Sequence, residues 1–162
     1  MRMTSKISRA IIAGMIFLTA VDATWPSGTP APTAWGPMSG GLQCALTMLP
    51  TQPGDPYSIL FWVKNGSPSN IRYTFGEFTK AAAGLVDVDQ AGKTSQPWFH
   101  MLGTDPARPL VLTPGQMTAG RYVAAKTVAG QSVSFNGSFA TYGASSSIPL
   151  RCGPISINPP KT

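Results

Sequence analysis

From Leu42 onward the chain alternates apolar and polar positions with a period of two, the period of a strand buried on one face. Leu42, Cys44, Leu46 and Met48 fall on one side, and Gln43, Ala45 and Thr47 on the other. After the turn signal Pro53-Gly54-Asp55-Pro56, residues 57–64 are apolar at both parities, which predicts a strand covered on both faces. Asn65-Gly66-Ser67-Pro68 closes that run, and Ile71, Tyr73 and Phe75 then alternate with Arg72 and Thr74, so a second strand is expected after a tight connection. Ala81-Ala82-Ala83 is helix-friendly but too short to nucleate alone before Gly84. Residues 85–89 alternate again, with Val86 and Val88 expected inward.

Further strands are predicted over 98–102 and 110–112, with Thr113-Pro114-Gly115-Gln116 suited to a type II turn. Residues 120–128 and 132–142 read as an antiparallel pair around Ala129-Gly130. The last strand places Ile148, Leu150 and Cys152 on one face, then changes parity to Ile155 and Ile157 after Gly153-Pro154, as a bulge would cause. About eight or nine antiparallel strands at this spacing predict an all-β, two-sheet sandwich.

Composition sharpens this picture. The 162 residues are 43% hydrophobic and only 11% charged, with 17 Gly and 16 Pro, which favours short strands and many turns around a single core. Arg2, Lys6 and Arg9 followed by an uncharged run from Ala10 to Val21 have the form of a signal peptide, with cleavage expected after Ala23. That run falls well short of the ~20 residues of a membrane-spanning helix, so a cleaved chain is not expected to span the bilayer. The expected layout is a signal peptide at 1–23, a Pro- and Gly-rich lead at 24–41, the sandwich at 42–158 and a tail at 159–162, with an extracytoplasmic location, periplasmic or secreted.

Cleavage leaves nine Lys and Arg against five Asp and Glu, a formal net charge of +4 in place of +6. The cations are scattered rather than gathered into a phosphate-tracking stripe, so nucleic acid is not an expected partner. The chain has two cysteines, Cys44 and Cys152, both at inward positions of the first and last strands. In an oxidising compartment such a pair is expected to be a structural disulfide, since a redox pair is normally spaced C-x-x-C.

Some local motifs add a resemblance. Trp35-Gly36 followed by Gly41-Leu42-Gln43, a Pro-Gly turn, a strand ending at Asn65-Gly66, then Leu112-Thr113-Pro114-Gly115-Gln116 and Pro154-Ile155-Ser156-Ile157, resembles small immunoglobulin-like domains of secreted bacterial proteins. Such domains are similar in outline to the intracellular proteinase inhibitor fold and to fibronectin-type modules, and the resemblance implies architecture rather than activity. This chain departs from them in carrying Cys44 and Cys152.

The chemistry available is thin. Behind the expected cut the chain has one His, His100, one Glu, Glu77, and four Asp, at Asp55, Asp87, Asp89 and Asp105, with no G-x-S-x-G elbow to make a triad of His100, Asp105 and a serine. No enzyme and no cofactor are expected. His100 and Met101 would lie on opposite faces of one strand, so they cannot share a metal, and Asp87 with Asp89 supply too few oxygens for calcium and are expected on a solvated face. Trp62, Trp98 and Tyr142 fall opposite the main core and are the candidates for stacking on a sugar, although core packing is the commoner fate of Trp. A proteinase-inhibitor reading would use residues 102–108 or 111–120 as the entering loop. The sequons Asn65-Gly66-Ser67 and Asn136-Gly137-Ser138 are expected to be turns. The leading expectation is a non-catalytic module contacting a protein or the cell envelope through a sheet edge or loop cluster, with glycan binding and proteinase inhibition as alternatives.

Overall fold

The computed structural model describes residues 29–50, 57–88, 91–95, 99–102, 109–124 and 132–157. The expected signal peptide, the tail, Trp98, Asp89 and Asp105 therefore lie outside the described residues. Among those described the structure is all-β, with ten strands and one short helix: β1 (Leu42–Met48), β2 (Ser58–Asn65), β3 (Ile71–Thr74), α1 (Gly76–Ala81), β4 (Leu85–Val88), β5 (Thr94–Ser95), β6 (Phe99–Leu102), β7 (Pro109–Leu112), β8 (Met117–Ala124), β9 (Ser132–Ala140) and β10 (Ser147–Ser156). They form three antiparallel sheets, ordered β1-β2-β8-β6, β10-β9-β4-β5 and β3-β7, an outline compatible with a β-sandwich. No helix among the described residues is long and apolar enough to cross a membrane.

Strand β2 pairs with β1 and β8 along its edges, and it is covered on both faces because its two side-chain parities enter two separate apolar clusters. Ile59, Phe61 and Val63 enter the main core with Leu42, Cys44 and Leu46 of β1, Phe135 and Phe139 of β9, and Leu150 of β10. At the other parity Leu60 and Trp62 join Ala45 and Ala119 in a second cluster, with Trp35 and Leu49 packed against it. The lead therefore covers the back of the first sheet and clasps its edge. The Gly36 amide donates to the Cys44 carbonyl at 2.8 Å, the Gln43 side chain donates to the Gly36 carbonyl at 3.1 Å, and Ser39 and Leu42 exchange backbone bonds. Only glycine fits at 36, since a Cβ there would overlap the Arg151 carbonyl of β10.

Cys44 and Cys152 meet at disulfide distance, with Cα atoms 5.6 Å apart, so the staple joins an edge strand of each four-stranded sheet. The parity change in the last strand is real: the register of β10 against β9 shifts between Cys152 and Ile155. The turn after β7 also closes as expected, with the Gln116 amide donating to the Thr113 carbonyl at 3.0 Å.

Several expectations are corrected. The β3-β7 pair is an additional sheet, and β3 pairs with β7 rather than with the preceding β2. Strands β8 and β9, expected as a pair, belong to different sheets, because β8 adds to β2 while β9 adds to β10 and β4. The parity of β4 is reversed, with Leu85 and Asp87 buried and Val86 and Val88 only half-buried; Leu85 enters the main core, and strand geometry then carries Asp87 inward with it. A helix also forms where none was expected. Six residues cannot hold a helix in water, but Phe78 is fully buried among Phe61, Tyr73, Phe75 and Phe139, with ring centroids 5.2–6.0 Å away. The Tyr122 hydroxyl donates to the Phe78 carbonyl at 2.5 Å, and Gly120 leaves room for the Phe78 ring, which would stand 2.8 Å from an added Cβ. Tertiary packing therefore overrides local propensity at this point.

Candidate ligand-binding surface

The three rings named as candidates for stacking meet different fates. Trp62 is 3% exposed and its indole N–H donates to the Thr47 hydroxyl at 3.0 Å, so its faces belong to the cluster beneath Trp35 and cannot receive a sugar. Trp98 lies outside the described residues. Tyr142 is 52% exposed in the β9–β10 turn, and the Arg72 guanidinium stands 5.7 Å from its ring centroid in a cation–π contact. Among the described residues, Trp62 and Tyr142 are separated by their surroundings, one buried under the lead and one exposed in a turn.

The other candidates are also placed. His100 occupies β6 in register with Val123 of β8, and no three His, Cys, Asp or Glu gather among the described residues. Asp87 is 2% exposed rather than on a solvated face. Residues 103–108 fall outside the described set, and 111–120 form the end of β7, a tight turn and the start of β8. The first sequon is a turn as expected, built on Asn65, which is fully buried at the end of β2; its amide donates to the Ser69 and Leu112 carbonyls at 2.8 Å and its oxygen accepts from the Ser67 amide and hydroxyl, closing an Asx turn. The second is not a turn. Asn136 sits in the middle of β9.

What the fold does assemble is a polar face on the back of the second sheet. Val133, Phe135 and Phe139 turn into the core, so strand parity sends Ser134, Asn136 and Ser138 outward, and Leu150 and Cys152 likewise send Pro149 and Arg151 outward from β10. Asn136 and Arg151 are register partners, and the Arg151 Nε donates to the Asn136 side-chain oxygen at 3.1 Å. Two grooves share Asn136. One, of about 430 Å³, runs between α1 and the end of β9, with Glu77, Lys80, Asn136, Ser138 and Ser147 as its polar wall. The other, of about 350 Å³, lies between the lead and the sheet, lined by Pro37, Ser134, Asn136 and Arg151.

The electrostatics of this face are simple. Lys80 and Glu77 neutralise each other at 2.8 Å along one wall. Among the described residues Arg151 has no carboxylate within ion-pairing distance, which leaves it a cation of this face without a local counter-charge there. Among the described residues, Tyr122 and Tyr73 have displaced acidity and lie in the core; burial raises both, and a hydrogen bond with Thr118 partly offsets the rise for Tyr73. Their role is structural. Sequence reasoning passed over the polar face because it followed aromatic rings, although the outward alternation of Ser134, Asn136 and Ser138 was there to be read. Compared with known proteins, the chain matches no family model, no curated protein and no solved structure.

Proposed function

We propose that this chain is an exported, non-catalytic module of immunoglobulin-like outline that contacts the cell envelope or a partner protein through the outer face of its second sheet. The observation that carries this reading is the open polar face flanked by two grooves that meet at Asn136. Their sizes fall in the range of ligand sites, ~300–1,000 Å³. The thin supply of titratable side chains in the sequence is consistent with binding rather than turnover.

The immunoglobulin-like outline is supported by strand order. With β3 and β7 set aside as an inserted pair, and the remaining strands lettered A, B, C, C′, D, E, F and G along the chain, the two larger sheets read A-B-E-D and G-F-C-C′. The disulfide joins A to G in place of the B–F bridge of antibody domains. Export is supported by the leader-like first 23 residues together with the cysteine pair at bonding distance.

Two measurements test the proposal. Intact mass with and without reductant and alkylation is expected to give a mature chain starting at Thr24 whose cysteines alkylate only after reduction; a full-length chain with two free thiols would refute export. Co-sedimentation with purified bacterial envelope material is expected to fail for a Ser134→Tyr/Ser138→Tyr variant and to persist for Met117→Lys on the other large sheet. The reverse pattern would move the contact surface elsewhere.

A further inference from the structure

The chemistry of the same face narrows its ligand. We infer that the back of the second sheet binds an acidic polysaccharide, with Arg151 receiving a sugar carboxylate and the two grooves meeting at Asn136 holding the sugars on either side. This inference rests on the proposed use of that face. Arginine carries five N–H donors, and the bond from Nε to Asn136 consumes one while fixing the plane of the guanidinium. The two terminal nitrogens remain as a fork, the geometry that takes a carboxylate through two parallel bonds. Asn136 thus acts as a positioning residue for Arg151.

The surrounding side chains favour a polyhydroxylated ligand. Ser134, Ser138, Ser147 and the Asn136 amide offer short donors and acceptors in both grooves, matching alternating hydroxyl and ring oxygens. A protein partner would call for large apolar anchors at the centre of its footprint. The large hydrophobics exposed among the described residues are Met38, Val111, Met117 and Tyr142, and none lines either groove. Nucleic acid would need several cations along a phosphate track, whereas this face offers Arg151 and a Lys80 already paired with Glu77.

The test uses the whole mature protein and polygalacturonate oligomers, with dextran as the neutral probe and dextran sulfate as the non-carboxylate anion, followed by titration calorimetry at low and physiological salt. Binding to polygalacturonate is expected, weakened about tenfold or more by Arg151→Gln, the loss of one charge-assisted contact. Asn136→Ala is expected to weaken it by a smaller factor, and Arg151→Lys to restore the charge without restoring full affinity, because an ammonium lacks the fork. Near-ultraviolet circular dichroism checks that each variant is folded.

No binding to polygalacturonate, or binding unaffected by Arg151→Gln, overturns the inference. Binding lost instead in Arg72→Gln would place the acid-recognising site at the exposed Tyr142 patch and overturn it as well. Equal binding to dextran sulfate would show general attraction of polyanions and would reject a carboxylate fork. Should envelope co-sedimentation depend on Ser134 and Ser138 while Arg151→Gln has no effect, the contact face stands and the acidic ligand falls.

Discussion

The two large sheets have outer faces of opposite character. Behind the first sheet, Ala45, Leu60, Trp62 and Ala119 make an apolar patch that the lead covers with Trp35; behind the second, Asn136, Ser138 and Arg151 stand open beside a half-buried Ser134. The small alanines flanking Trp62 on both neighbouring strands leave space for its ring to lie across the sheet, and Trp35 with Leu49 then takes its place as a further layer. A strand apolar at both parities thus signals a third layer. One that alternates serine with phenylalanine signals a face left to solvent or to a ligand.

The comparison can be broken most severely at the staple between the sheets. Replacing both Cys44 and Cys152 by Ala frees a loop with a sequence separation of 108 residues. A loss of about 4–5 kcal/mol is expected from loop entropy, measured by urea denaturation under non-reducing conditions. Next comes the covered face. Trp62→Ala is expected to cost about 3–5 kcal/mol and to raise the accessibility of Trp35 to a fluorescence quencher, since the lead then has no ring to lie on. A wild-type-like stability for this variant would refute the covering layer.

Alkaline titration addresses the core that the two sheets share. Tyr73 and Tyr122 are held above the ordinary tyrosine value of 10.0 by burial, so their contribution is fully present below that pH. Above it the unfolded chain ionises first, and stability is expected to fall as pH rises toward the folded values, with Tyr122→Phe blunting the fall. A smaller effect is expected from Thr47→Val, which leaves the buried Trp62 indole N–H without its acceptor at a cost of about 1–2 kcal/mol. The smallest belongs to the open face, where Ser138→Ala is expected to change stability by less than about 0.5 kcal/mol while weakening ligand binding. A large stability loss there would show that the face is packed rather than available.

Much of the strand pattern was legible in the chain. Positions 42–48 appear as β1, the apolar run after Tyr57 appears as β2, and the parity change at Gly153-Pro154 appears as a register shift in β10. The candidate site was less legible. Trp62 stood as a stacking candidate within a run read as covered on both faces, because periodicity separates the two faces of a strand without naming the segment that covers the outer one. Asp87 was placed outward because Val86 and Val88 are more apolar, but Leu85 had a better-packed place in the core and carried the parity of β4 with it.

By itself the sequence determined what is local or without alternative: strand alternation, turn chemistry, and the identity of the cysteine partners, since two cysteines admit one intramolecular pairing. Sheet membership was decided by the tertiary structure. Strand edges offer nearly the same row of backbone donors and acceptors whatever their side chains, so alternation cannot say that β2 adds to β8 or that β8 and β9 part company. The same holds for α1, a helix of six residues that exists because Phe78 fills the space between Phe61, Tyr73 and Phe139, and those rings come together only when the sheets do. The back of the second sheet follows the same rule, because Asn136 and Arg151, 15 residues apart in the chain, become partners only through the register of β9 on β10.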